Sequence, residues 1–264
     1  MNLSISVLGP DGTKKMEKSS RQELWAVYDG EYQEGDRIEL SCETEGTEKT
    51  FLFVKLDDAM EGTVLLYKGV YSFPIPFAEA RMSYNPSSFT GKRHYLYVRE
   101  ATGAETGGER NLALNPYDFH GNAGLFPHTW ANVETRGESV FASRNAVDGL
   151  LANSFHGEWP YTSWGINRDP DAEFHLEFGR EVILSSVGIY LRADFPHDAW
   201  WKEGTLSFSD GSTMTLEFKK TGGEQRFRFE PKKVTSLVFH KLIKADDPSP
   251  FPALTQLTAY GKEA

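Results

Sequence analysis

Short runs of alternating apolar and polar residues recur along this sequence, and turns rich in Gly and Pro separate them. Residues 38–42 (Ile-Glu-Leu-Ser-Cys) and residues 174–178 (Phe-His-Leu-Glu-Phe) show the pattern clearly. A period of two places every second side chain on one face, which is typical of a half-buried β-strand. We find no long amphipathic helical pattern. The sequence therefore predicts an all-β protein built from antiparallel sandwiches.

The length of 264 residues allows two domains, and one segment is suited to join them. Residues 100–110 are poor in apolar side chains and rich in Gly, as expected for a linker. We therefore predict a smaller β-sandwich domain over residues 1–105 and a second domain over residues 106–264. Pro74 and Pro76 exclude a central strand around them, because proline lacks the N–H donor of a sheet hydrogen bond. They indicate an edge strand or a crossing loop.

Charge and cysteine content narrow the classes of partner. The formal net charge of −10 excludes a general binder of nucleic-acid phosphates and electrostatic docking on an anionic membrane. Cys42 is the single cysteine, so no disulfide forms within the chain. The first residues have no basic region and no continuous apolar stretch, so we expect no signal peptide, no membrane span and a cytoplasmic location.

Beyond residue 110, short motifs follow one another in a distinctive order. They are Asn111-Leu-Ala113, Asn145-Ala-Val-Asp-Gly149, Thr162-Ser-Trp164, Glu173-Phe-His-Leu-Glu-Phe-Gly179, Val187-Gly-Ile189 and Leu254-Thr-Gln-Leu-Thr-Ala-Tyr-Gly261. In their order and spacing, this region resembles the discoidin, or coagulation factor 5/8 type C, family, to which several carbohydrate-binding modules of bacterial glycosidases belong. The resemblance implies a galactose-binding-like jelly roll, a β-sandwich, for the C-terminal domain. The N-terminal region is not assigned to a family.

Many members of that family hold a calcium ion, and the resemblance implies where it would bind. Asp148 matches the aspartate of an Ala-x-Asp-Gly turn that binds the ion together with nearby backbone carbonyls. Where the family has a glutamate just before the final strand, this sequence has Gln256, which offers a neutral oxygen ligand. Losing a carboxylate weakens calcium binding. Calcium is the cofactor we expect, and the alternative is that Asp148 only caps a tight Asp-Gly turn.

Two neighbouring loops combine side chains that suit a sugar. The resemblance implies that an arginine at a strand end, here Arg192, contacts the ligand. With the loops around it, the predicted ligand-binding set is His156, Glu158, Trp159, Arg192, Asp194, His197, Trp200 and Trp201. Planar donors and acceptors suit sugar hydroxyls, and aromatic rings stack on the C–H face of a sugar.

Structural roles for the same residues stay open. One of Trp200 and Trp201 is expected to face inward, because neighbouring strand residues point in opposite directions. For Arg192, the alternative is a surface salt bridge with Asp194 or Glu158.

We expect a non-catalytic protein that binds a carbohydrate or another polyol through the C-terminal jelly roll. A protein-interaction or structural module without sugar affinity is the alternative, since fold alone does not fix function. His156, Glu158, Asp194, His197 and Asp198 are also the residue types of a metal centre or a carboxylate pair, so a glycan-active enzyme is a third alternative. No His-Glu-x-x-His, cysteine cluster, phosphate loop or Gly-x-Ser-x-Gly motif supports it.

The N-terminal region is rich in aromatic residues around its two prolines. Tyr71, Phe73, Phe77 and Phe89 either fill the core of the small sandwich or form an interface. An interface would bind the C-terminal domain, a second copy of the chain or a protein partner.

Overall fold

The computed structural model describes residues 1–44, 49–152, 157–193 and 199–264. Its contacts divide the chain into two compact units. Unit 1 comprises Met1–Thr106 and Gly121–Phe126, and unit 2 comprises Gly107–His120 and Pro127–Ala264. The division into domains at residue 106 stays a prediction.

Antiparallel strands form about half of the described chain. In chain order they are β1 (Asn2–Leu8), β2 (Lys14–Arg21), β3 (Glu23–Asp29), β4 (Arg37–Glu43), β5 (Thr50–Lys55), β6 (Thr63–Tyr67), β7 (Tyr71–Pro74), β8 (Arg93–Glu100), β9 (Arg110–Asn111), β10 (Leu125–Phe126), β11 (His128–Ala131), β12 (Trp164–Gly165), β13 (Phe174–Leu191), β14 (Trp201–Phe208), β15 (Thr213–Glu217), β16 (Gln225–Lys244) and β17 (Ala253–Glu263). The described helices are short: α1 (Gly103–Thr106) and the 3-10 turns Ala78–Ser83, Thr135–Gly137, Ser139–Phe141 and Ser143–Val147. Within the described ranges, none of these helices has the length and apolar character needed to cross a membrane.

Unit 1 contains two sheets whose apolar faces are buried. One has the strand order β2-β1-β4-β7, and the other has the order β10-β6-β5-β8-β3. Ile5 and Ile38 of the first sheet and Leu52 and Leu96 of the second are fully buried. The apolar positions of the alternation thus place these side chains in the core.

The proline-containing segment of unit 1 is an edge strand. Pro74 ends β7, which lies at the end of its sheet and pairs only with β4 among the described strands. Tyr71, Phe73 and Phe89 are buried, and the ring centroids of Phe73 and Phe89 lie 5.5 Å apart. These three rings therefore fill the core of unit 1 rather than form an interface.

Unit 2 is organised around two long strands, β13 and β16. Its sheet has the order β12-β17-β13-β16-β14-β15, with β9 beside β17 and β11 beside β13. The pairing of β13 with β16 shifts register between Glu177 and Val182. Such irregularities bend a strand, which allows one hydrogen-bonded sheet to fold over its own apolar face. Trp164, Trp201 and Phe239 are fully buried there.

The prediction of an all-β fold of antiparallel sandwiches is confirmed. The described strand pairs are antiparallel in both units. The residues expected to alternate do so, since Phe174, Leu176 and Phe178 are all fully buried on β13.

A short helix stands in the segment that the sequence predicts to be a linker. The backbone N–H of Thr102 donates to Glu105, and the N–H of Glu105 donates to the Thr102 hydroxyl at 3.3 Å. This reciprocal pair is a capping box. The hydrogen bond from Arg99 to the same carboxylate lowers the pKa of Glu105 to about 2. Local side-chain bonds thus order the start of this segment.

A buried carboxylate fastens the beginning of unit 2 to β11. Asp118 accepts hydrogen bonds from the backbone N–H of Thr129 at 2.8 Å and from its hydroxyl at 2.9 Å. Its other oxygen lies 2.8 Å from Nδ1 of His128. Burial opposes protonation of the ring, but the hydrogen bond and negative charge of Asp118 outweigh it and raise the pKa of His128.

This pair makes stability depend on pH. A histidine whose pKa is raised on folding stabilises the protein fully below its unfolded pKa of about 6.5, and that contribution is lost as pH rises through the folded pKa. We expect the free energy of unfolding to fall as pH rises above about 6.5, by less in His128→Asn than in the natural chain. Urea unfolding over a series of pH values measures it. His120→Asn is the control, because the mostly exposed His120 also pairs with a carboxylate, that of Glu134. A larger loss of pH dependence in the control would contradict the role of His128.

Candidate functional site

The pairing of β17 with its neighbours brings three loop segments together in unit 2. Gly165 of β12 lies opposite Ala253 of β17, and Trp164 lies opposite Leu254. On the other side, the backbone N–H of Arg192 donates to the carbonyl of Ala253 at 3.0 Å. The residues after Gly165, those before Ala253 and Arg192 must therefore meet at one end of the sheet.

They enclose a cleft with a volume of about 310 Å³. Its lining is Thr135, Arg136, Phe141, Gly165, Ile166, Asn167, Arg168, Arg192, Phe251, Pro252 and Ala253. We call this the arginine cleft, after Arg136, Arg168 and Arg192. Its volume falls in the range of small-molecule sites, roughly 300–1,000 Å³.

Two of the arginines lie against aromatic rings. The guanidinium carbon of Arg168 is 4.4 Å from the centroid of Phe251, whose ring is 44 % exposed. That of Arg136 is 5.7 Å from the centroid of Phe141. Such contacts orient the planar guanidinium through cation–π attraction. Arg136 also forms a bidentate pair with Glu138, at 2.6 and 2.8 Å. Arg192 differs from both, because it is only 2 % exposed.

The backbone of the cleft is strained. Arg136, Asn167 and Arg168 have φ angles of 53°, 50° and 64°, in the left-handed region that side chains disfavour. Each such residue costs on the order of 1–3 kcal/mol. The N–H of Asn167 donates to the hydroxyl of Thr135 at 2.9 Å, which holds the two strained segments together. Strain of this kind is concentrated at binding sites, where the surrounding fold imposes a shape.

A second cavity of about 480 Å³ adjoins the arginine cleft. The two share Ile166, Arg168 and Pro252 in their linings. Trp201 lies at the base of the second cavity, although its ring is fully buried in the core of unit 2. The two cavities are therefore neighbours in unit 2.

The predicted ligand-binding set is distributed as follows. Arg192 lines the arginine cleft. Glu158 is exposed, Trp159 and Trp200 are half-buried, and none of these is among the described residues that line it. Of the adjacent tryptophans, Trp201 is the ring that faces inward. His156, Asp194 and His197 lie outside the described residues, so their place in the set stays a prediction.

Residues missed by the sequence analysis dominate the cleft. Arg168 and Phe251 come from loops far apart in the chain, and the β12–β17 register brings them together. The turn-forming sequence Asn167-Arg-Asp-Pro170 signals a tight loop. Nothing in the sequence states which strand end that loop meets.

The predicted calcium site is a buried network of hydrogen bonds. Burial raises the pKa of Asp148 to about 7, against the charge of Arg144 and the hydrogen bonds from Leu150 and Gln256. The side-chain nitrogen of Gln256, rather than the oxygen expected to bind the ion, faces the Asp148 carboxylate at 2.8 Å. It also donates to the carbonyl of Asn145 at 2.6 Å. Because an N–H donor stands among the oxygens, the residues as arranged do not fit a cation.

Metal ligands do not cluster elsewhere in the part of the chain that the structure describes. There, no group of three or more His, Cys, Asp or Glu side chains is placed to hold a metal ion.

No protein-family model and no curated protein matches the sequence. Solved structures give distant likenesses. A chitosan-binding module from a Paenibacillus sp. IK-5 chitosanase/glucanase is 19 % identical, with a TM-score of 0.41, over 58 % of this chain and 99 % of the module. The family 32 CBM from C. perfringens NanJ, solved in complex with galactose, is 16 % identical, with a TM-score of 0.39, over 50 % and 91 %. A fucose-binding module from Streptococcus pneumoniae is 15 % identical, with a TM-score of 0.40, over 58 % and 99 %.

These similar structures are carbohydrate-binding modules. At such identities and TM-scores, the likeness carries no argument about the ligand of this chain.

Gly165 is a sensitive point of the cleft wall. A Cβ atom at this position would lie 2.6 Å from the hydroxyl of Thr135 and 3.3 Å from the ring of Phe141. We expect Gly165→Ala to destabilise the protein by about 1–3 kcal/mol, as overpacking does. Gly223→Ala is the matched control, because its nearest atom is at an ordinary 3.5 Å. Thermal unfolding compares the variants, and equal midpoints would show that the wall is not closely packed.

Proposed function

We propose that the protein is a non-catalytic carbohydrate-binding protein and that the arginine cleft is its sugar site. The observation that carries the proposal is the pairing of the exposed Phe251 ring with Arg168 beside the buried Arg192, in one cleft of small-molecule size. An aromatic face stacks on the C–H face of a sugar ring, and guanidinium groups donate to its hydroxyls in fixed directions.

The residues that line the arginine cleft favour the binding of a sugar over its hydrolysis. Glycoside hydrolysis requires two carboxylates that flank the bond to be broken. Among the described residues that line the arginine cleft there is no Asp, Glu or His. The groups of the arginine cleft are donors and rings, and the described lining of the adjoining cavity adds a single carboxylate, that of Asp169, rather than a pair.

The adjoining cavity supports a ligand longer than one sugar ring. Because both cavities share Ile166, Arg168 and Pro252, a bound chain would pass Arg168 on its way between them. A sugar ligand that occupied both cavities would therefore contact Arg168 in each of them.

A glycan array followed by calorimetry tests the site. We expect Phe251→Ala and Arg168→Ala each to weaken binding about tenfold or more, equivalent to roughly 1.4 kcal/mol. Arg226→Ala is the matched control: its guanidinium carbon also lies over a ring, 3.7 Å from the centroid of Tyr260, but it does not line the cleft. If the control loses as much affinity as Arg168→Ala, the cleft is not the site. If no glycan binds the natural chain, the proposed function is wrong.

An exposed apolar face on unit 1 favours a second candidate function. The pairing of β3 with β8 sets Trp25 opposite Tyr97 and Val27 opposite Tyr95. Trp25 is 54 % exposed, Val27 42 % and Tyr95 37 %. Contiguous exposed apolar side chains mark interaction surfaces. β3 is also an edge strand, whose unpaired backbone groups are able to pair with another strand. This face favours association with a second copy of the chain.

Light scattering over a range of concentrations tests this second candidate. We expect the natural chain to form dimers as its concentration rises and the double variant Trp25→Lys/Tyr95→Lys to stay monomeric, because charge on the face opposes burial. Trp130→Lys is the control, since Trp130 is 40 % exposed in unit 2. A natural chain that stays monomeric throughout would contradict self-association.

A further inference from the structure

The side-chain amide of Gln256 on β17 is buried and makes several hydrogen bonds. Gln256 is only 1 % exposed. Its nitrogen donates to the carbonyl of Asn145 at 2.6 Å, to Oδ1 of Asp148 at 2.8 Å and to the carbonyl of Thr255 at 3.0 Å. On the opposite side, its oxygen accepts from the N–H of Gly149 at 3.1 Å.

These contacts fix the orientation of the amide. A turned amide would place its oxygen against three other oxygens and its NH2 group against the N–H of Gly149. Both changes replace attraction with repulsion in a buried site, where unsatisfied polar groups are costly. The nitrogen must therefore face the turn, and the oxygen must face Gly149.

Three oxygen acceptors surround the side-chain nitrogen of Gln256, which carries only two hydrogens. An NH2 group has two donors, so three acceptors at 2.6 to 3.0 Å exceed what it satisfies fully. In addition, Oδ2 of Asp148 is buried and has no hydrogen bond among the described residues. It lies 3.9 Å from Nη1 of Arg144. An excess of inward-facing oxygens around one point is the arrangement that surrounds a hard cation.

We propose that the amide nitrogen of Gln256 occupies the position of a cation, so that the Asn145–Gly149 turn is fastened to β17 without a bound metal. A carboxylate at residue 256 would convert the same oxygens into a divalent-cation site. The inference concerns the scaffold and does not depend on the proposed sugar site.

The substitution Gln256→Glu supplies the second carboxylate that a divalent cation needs at this position. In Gln256→Glu, one carboxylate oxygen still accepts from the N–H of Gly149, and the other faces Asp148 and the two carbonyls. Without a cation, this places a negative charge against three oxygens. With a divalent cation, the two carboxylates neutralise its charge, and the ion lies between the carboxylate of residue 256 and the oxygens that face it, at calcium–oxygen distances of about 2.3–2.6 Å.

Thermal unfolding of the full chain, in a chelator and with added Ca²⁺, tests the proposal together with calorimetric titration by Ca²⁺. We expect the midpoint of the natural chain to be the same in both conditions. Gln256→Glu should unfold at a lower temperature in the chelator, recover as Ca²⁺ is added and bind one ion. Its double variant with Asp148→Asn should lose that binding, which places the ion in this site.

Gln256→Met keeps a side chain of similar length and removes all four hydrogen bonds. It should lower the midpoint equally with and without Ca²⁺, which shows the contribution of the amide even if Gln256→Glu fails to fold. One-to-one Ca²⁺ binding by the natural chain, with a rise in its midpoint, would overturn the proposal. So would a folded Gln256→Glu variant whose midpoint ignores Ca²⁺.

Discussion

The hydrogen-bonded register of β17 is the constraint on which the chemistry of unit 2 depends. This one strand pairs with β12 and β13, and Gln256 lies opposite Tyr190 within the second pairing. At its start it sets Ala253 between Gly165 and Arg192, which builds the arginine cleft. Three residues later it directs Gln256 to the Asn145–Gly149 turn. A shift of one residue at the start of β17 would reverse the faces of the side chains there, and an irregularity in the pairing between Tyr190 and Leu191 separates that start from Gln256.

The cleft shows how a chain with a net charge of −10 presents a local concentration of arginine. Arg136 is held by Glu138 and Arg168 by the ring of Phe251. Each of these two guanidinium groups thus has an orienting partner. A planar donor with a fixed direction discriminates among hydroxyl arrangements better than a mobile charge does. The proposed sugar site therefore depends on the orientation of donors and rings rather than on overall charge.

The sequence predicted the strands and singled out one residue that lines the arginine cleft. The alternation at Phe174, Leu176 and Phe178 predicted their burial, and Pro74 restricted its segment to an edge strand or a crossing loop, because both follow from local geometry. The family resemblance singled out Arg192, which lines the arginine cleft, and its contact with a ligand stays a prediction. Arg168 and Phe251 were missed, since their meeting depends on pairing between distant strands, which no local pattern encodes.

The Asp148–Gln256 pair illustrates a different limit. The family resemblance predicted that these two residues are partners, but not which atom of the amide faces the carboxylate. That choice is made by the N–H of Gly149, which only an oxygen can accept. The rings of Tyr71, Phe73 and Phe89 show the same kind of ambiguity, because an aromatic cluster reads alike in a core and at an interface. Burial decides between the two.

The left-handed backbone at Asn167 and Arg168 has a consequence for the thermodynamics of recognition. A loop that adopted this shape only around a ligand would lose conformational freedom at that moment, and the affinity would fall accordingly. Here the β12–β17 pairing and the hydroxyl of Thr135 impose the shape when the chain folds. The loop therefore loses its conformational entropy on folding, before any ligand binds. Glycine substitutions that relaxed the loop would move this entropy loss to the binding step.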